Sequence, residues 1–230
     1  KLPLPDGTFL EFLSRENNTM DGDLAANFPD INAYNGVGND GIVANWDITP
    51  QGFHAMIYIP GKGTTFIDPI IKGNTEYYIV YNKKDFTTEK IMECGLLDEL
   101  EVSTPVNTVK SFGSCELRTY RLALAATGEY TTFQGGTVAA ALAAQVTTMN
   151  RVNQVYEREM AIRMTIIANN NLLIYTNAGS DPYTNNNGFT MLGENQTNCN
   201  AVIGSANYDI GHVFSTGGGG VVNEIEYITM

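Results

Sequence analysis

The sequence predicts a mainly β N-terminal half followed by an α/β (α+β) half, in which a twisted sheet is backed by one long helix. Three observations lead there. Short alternating stretches between turn residues run to about Leu100; a strand, a long amphipathic helix and a second strand follow one another from Arg118 to Ala168; and a polar segment holding Pro105 and Gly113 lies between the two. The boundary is expected in that segment, giving a β-rich domain with its linker over residues 1–112 and a second portion over residues 113–230.

In the first half, strands are expected at Thr8 to Leu13, Val43 to Ile48, Phe53 to Ile59, Thr64 to Ile67 and Glu76 to Tyr81. Pro5-Asp6-Gly7, Pro60-Gly61-Lys62-Gly63 and Asn82-Lys83-Lys84-Asp85 supply the turns. A short helix fits Asp23 to Phe28, ending before Pro29, and Trp46 is expected in the core. In the second half, Tyr120, Leu122 and Leu124 alternate with Thr119 and Arg121 as in a half-buried strand. After Gln134-Gly135-Gly136, Thr137 can cap a helix in which Val138, Leu142, Val146, Met149, Val152 and Tyr156 form one apolar face. Ile162, Met164 and Ile166 alternate in the next strand, so a β-α-β crossover with a sheet under the helix is expected. Leu172 to Tyr175 reads as a further short strand, Met191 to Ile203 as a short helix, and Tyr208 to Thr216 as the start of another strand before Gly217 to Gly220.

Composition excludes several classes of function. The net charge is -12 and only 13 Lys and Arg are present, scattered along the chain, so neither nucleic acid nor an acidic membrane surface is an expected partner. No run approaches the ~18 apolar residues of a membrane span. The charged fraction of 17% is below the ~25% of ordinary soluble domains, with Asn, Thr and Gly in place of charges, and this points to a secreted, extracellular protein. Lys1-Leu-Pro-Leu-Pro5 is neither a signal peptide nor an initiator Met, so the chain is expected to begin downstream of a removed or omitted segment.

Candidate chemistry is sparse. Cys94, Cys115 and Cys199 are three, so at least one is unpaired within the chain, and the pairing stays open. Asn17-Asn18-Thr19 and Asn195-Gln196-Thr197 fit the glycosylation pattern, a tripeptide common by chance in an Asn/Thr-rich chain. His54 has no second ligand at metal spacing and reads as a structural strand histidine. The oxygen-rich Asp181 to Gly188 stretch could hold calcium but lacks the ligand spacing and closing Glu of a calcium loop. The glycine run lacks the Lys-Ser or Lys-Thr of a phosphate cradle. Asp209, His212 and Ser215 are too close in one strand to surround a substrate as a triad must.

The order of elements, with Tyr120-Arg-Leu-Ala-Leu-Ala-Ala-Thr-Gly-Glu-Tyr130, Thr148-Met-Asn-Arg-Val-Asn-Gln-Val-Tyr-Glu157 and the segment from Ser205 through Tyr208-Asp-Ile-Gly-His-Val-Phe-Ser-Thr216 to Gly220, resembles the N-terminal part of a reprolysin-like metzincin zinc metallopeptidase of the secreted bacterial kind. Residues 1–112, including Thr49-Pro-Gln-Gly-Phe-His-Ala-Met56, resemble the pro-segment of such precursors. The resemblance implies an endopeptidase acting on peptide or protein substrates, with zinc as cofactor of the full-length enzyme. It also implies an extended substrate paired along a cleft-edge strand at Gly217, Gly218, Gly219, Gly220 and Val221. Met92-Glu-Cys-Gly-Leu96 resembles the pro-segment switch in which a cysteine blocks the metal, which makes Cys94 a candidate zinc-blocking thiolate.

The departure from that pattern lies at the C-terminal end. The His-Glu-x-x-His-x-x-Gly-x-x-His zinc motif is expected after the glycines, and the chain instead reads Val221-Val-Asn-Glu-Ile-Glu-Tyr-Ile-Thr-Met230. No catalytic residue is therefore assigned in this chain; it is expected to bind no zinc and to be inactive alone, as a truncated or internally shortened precursor. A secreted β-rich binding or adhesion module and a non-catalytic relative are the competing readings.

Overall fold

A computed structural model describes residues 1–87, 94–96, 116–217 and 220–222. The N-terminal half opens with a small hairpin of β1 (Leu2–Pro3) and β2 (Phe9–Leu10). It continues with β3 (Leu13–Glu16), helix α1 (Gly22–Asn27), β4 (Asn32–Val37), β5 (Val43–Thr49), β6 (Gly52–Ile59), β7 (Gly63–Pro69) and β8 (Tyr78–Asn82). Strands β3 to β8 form one antiparallel meander in chain order. Strand β4, Asn-Ala-Tyr-Asn-Gly-Val, escapes the sequence reading because its Asn and Gly disfavour strands when taken alone. Tertiary packing overrides that preference. A Cβ on Gly36 would lie 2.9 Å from the Trp46 ring, so glycine admits the indole, and Tyr34 stacks on the same ring at 6.0 Å. Trp46 packs, partly buried, against the core that also holds Ala44, Ala55, Ile57 and Ile67.

The chain resumes at β9 (Cys94–Leu96) and then β10 (Arg118–Ala126), α2 (Gly128–Gln134), α3 (Val138–Met160) and β11 (Ile162–Ile166). Helix α4 (Gly188–Val202), β12 (Ile210–Phe214) and β13 (Gly220–Val222) complete it. Strands β11, β10 and β12 make a parallel sheet in that order, so the expected β-α-β crossover is present. Central β10 is buried on both faces from Leu122 onward. One face, with Leu122, Leu124 and Ala126, packs on Leu142, Val146 and Met149 of α3; the other, with Ala123 and Ala125, packs on Cys199 and Ile203 at the far side.

One local prediction needs correction, and one helix adds to the prediction. Leu172 to Tyr175 is not a strand: a 3-10 turn spans Asn170–Leu173, and only an isolated bridge links Ile174 to Ala126. The cause is Asn170, whose buried side chain accepts from Leu124 N at 2.7 Å and donates to Leu124 O at 2.9 Å, taking the place of a neighbouring strand's backbone. Helix α2 also went unread. Thr127 caps it by accepting from Tyr130 N, and Gly128 is required there because a Cβ would lie 2.2 Å from the backbone of Ala178.

Helix α3 is covered twice. Its apolar face lies on the parallel sheet and its opposite face lies under β5 of the meander, so the order of layers is antiparallel sheet, α3, parallel sheet, α4. Asn150, Asn153 and Gln154, which lie outside the apolar repeat of α3, are buried.

Candidate functional site

Two predicted site segments meet. Strand β9 pairs in parallel with β13, with Cys94 opposite Gly220, Gly95 opposite Val221 and Leu96 opposite Val222. Nothing in the intervening sequence signals that pairing. Strand β13 runs beside α4, and after β12 the chain turns at residues 216–217. The turn is pinned at its start: Thr127 N donates to Phe214 O at 3.0 Å, Asn185 donates to Thr216 Oγ1 at 2.8 Å, and Thr216 N donates to Asn185 Oδ1 at 3.3 Å. Gly217 is packed against Asn186, whose Oδ1 would lie 2.8 Å from an added Cβ. Gly218 and Gly219 lie outside the described residues, as does Cys115.

The other polar candidates are engaged in structural roles. Both oxygens of Asp209 belong to Arg121: Oδ1 accepts from a guanidinium nitrogen at 2.7 Å, and Oδ2 accepts from Arg121 N at 2.7 Å and Nε at 3.1 Å. These hydrogen bonds hold the Asp209 carboxyl below the usual carboxylate range. His212 sits edge-on to Phe214 at 5.3 Å, so the three residues do not form a triad. His54 Nδ1 lies 3.1 Å from Asp47 Oδ1 inside the meander. Asp181 accepts from Gly128 N and Tyr183 N, and Asn187 caps α4, so these oxygens of the loop are taken up by backbone N–H groups of the loop, of α2 and of α4.

Beneath α4, Tyr175 donates to Asn198 Oδ1 at 2.8 Å, Asn198 donates to the Tyr183 hydroxyl at 2.9 Å, and Tyr183 donates to Asn195 Oδ1 at 3.0 Å. Burial raises the Tyr183 phenol, and it pushes the free Cys199 thiol up to about 11, which keeps that sulfur protonated and a poor nucleophile at neutral pH. Both glycosylation tripeptides are closed off: Asn17 is buried and donates to Asn150 Oδ1 at 2.6 Å, and Asn195 is buried in the tyrosine network.

Among the described residues, no three His, Cys, Asp or Glu side chains gather as a metal site, and no helix is long and apolar enough to cross a membrane. The chain's two histidines lie in different sheets, so the described residues do not fit a catalytic zinc.

No curated protein matches the chain. Residues 116–226, the stretch holding β10 to β13, match the family model described as metallo-peptidase family M12B reprolysin-like. The match relates this part of the chain to zinc-dependent peptidases, whose substrates are peptides or proteins.

Proposed function

We propose that the chain is part of the precursor of a secreted bacterial zinc endopeptidase. Residues 1–112 are its pro-segment, and residues 113–230 are the N-terminal portion of its catalytic domain. The observation that carries this reading is the parallel ladder of β9 on β13: the segment with Cys94 occupies the strand edge where an extended substrate would pair its main chain. Support for the peptidase class comes from the family match over β10 to β13. Support for secretion comes from the polar, weakly charged composition. Zinc in such an enzyme supplies a polarised water for attack on the peptide carbonyl, and His54 and His212, in separate sheets, do not supply its histidine ligands.

In the precursor, Cys94 is the zinc-blocking thiolate and Gly217 to Val221 form the cleft edge. Latency then has two parts, a covered edge and a blocked metal. Cys94→Ser in the precursor is expected to give peptide hydrolysis without prior processing, abolished by a chelator; a variant as latent as the parent would remove Cys94 from that role. The parallel sheet backed by α3 does not favour a purely β binding module.

A further inference from the structure

Residues 17–33 of the N-terminal half do not merely touch the C-terminal half but complete its core. Met20 bridges Ile166 in parallel; Ile166 N donates to Thr19 O at 3.0 Å, and Asp21 N donates to Ile166 O at 2.8 Å, so the segment is held to the outer edge of β11 by a single bridge. Helix α1 follows at once. Its Leu24 is 0% exposed, and with Met20 and Ile31 it shares one apolar cluster with Leu122, Leu142, Val146, Met149, Met164 and Ile166.

A second contact lies across the outer face of α3. Asn150 accepts from Asn17 and Asn45 and donates to Trp46 O at 2.9 Å; Gln154 donates to Val43 O and Met56 O; Thr147 donates to Asp47 Oδ1 at 2.7 Å; Arg151 pairs with Asp68 at 2.5 Å. This contact is made by amide, hydroxyl and charged side chains reaching backbone carbonyls and one another.

From these contacts we infer that the N-terminal half is a tightly held non-covalent ligand of the C-terminal half and stays bound after the connecting stretch is cut. An apolar anchor in a fully desolvated pocket, joined by directional polar contacts across the opposite face of α3, is the arrangement of a tight interface. One cut between the halves therefore does not free the C-terminal half; release needs a second event that dislodges the segment around Leu24. The inference rests on packing and does not require the peptidase reading.

The test uses the full 230-residue chain with a specific protease site placed between Ser103 and Gly113, cut to completion as judged on a denaturing gel. At about 1 μM the two pieces are expected to co-elute from a sizing column as one species. Elution as two separate species would overturn the inference. In the cut protein, Leu24→Ala is expected to weaken association by about thirty-fold or more, followed by fluorescence anisotropy on dilution. Association unchanged by that substitution would show that the Leu24 segment is not what holds the halves together. Neither readout involves catalysis, so this test and that of the peptidase reading fail independently.

Discussion

Helix α3 meets the parallel sheet with Leu142, Val146 and Met149, and meets the antiparallel sheet with Thr147, Asn150, Arg151 and Gln154. Both faces are buried, yet they are held by different physics. The apolar face gains from area removed from water and is tolerant of small shifts in register. The amide face gains little net energy per contact but is strict about position, because each carbonyl it reaches must be satisfied at hydrogen-bond distance. One face makes the C-terminal half stable, and the other specifies what may lie on it.

That contrast can be broken most directly from the apolar side. Leu142, fully buried, should cost about 2–5 kcal/mol on substitution by alanine, read from chemical denaturation of the intact chain. A cost below about 1 kcal/mol would mean that the helix is not anchored by this face. Asn150→Ala should cost less, about 1–3 kcal/mol, since it strands Trp46 O and the Asn17 amide without cutting much apolar area, while the Asn45 amide keeps its bond to Asn150 O. If it matched or exceeded Leu142→Ala, the two faces would not divide the work as described.

The exposed pair of Arg121 and Asp209 gives the smallest effect and sharpens the contrast with the buried amides. Its hydrogen bonds lower the Asp209 pKa, so its contribution is fully present above the ordinary carboxylate pKa of ~3.9 and is lost as pH falls through the lower value of the folded chain. Arg121→Ala should therefore bring the Asp209 titration, followed by carboxyl NMR, back up towards the ordinary range, with stability near neutral pH almost unchanged. A titration that did not move would remove Arg121 as the cause.

The sequence makes the apolar face of α3 legible and hides the other. Leu142, Val146 and Met149 recur with the period of a helix and could be read directly, as could β5 to β7, where alternation and turn residues agree. Asn150 and Gln154 are legible only as polar residues, and polarity ordinarily means solvent; nothing local marks them as caught between two sheets. For the same reason β4 was missed, its Asn and Gly being chosen by Trp46 across the sheet, and so was the side chain of Asn170 standing in for a strand. At the candidate site both segments were read, Cys94 from its neighbours and Gly220 from the glycine run, but their pairing joins positions separated by most of the chain. The metal chemistry was not legible as a site at all, since two histidines in separate sheets leave nothing for a pattern to find.

The two buried asparagines, Asn17 and Asn195, bear on how the protein can be made. Each stands in a tripeptide that a eukaryotic secretory pathway can modify as the chain emerges, before folding hides it. A sugar on Asn17 would hold the meander off α3, and one on Asn195 would prise α4 from the tyrosines beneath it. Secretion from a yeast or mammalian host would therefore set glycosylation in competition with folding at two points.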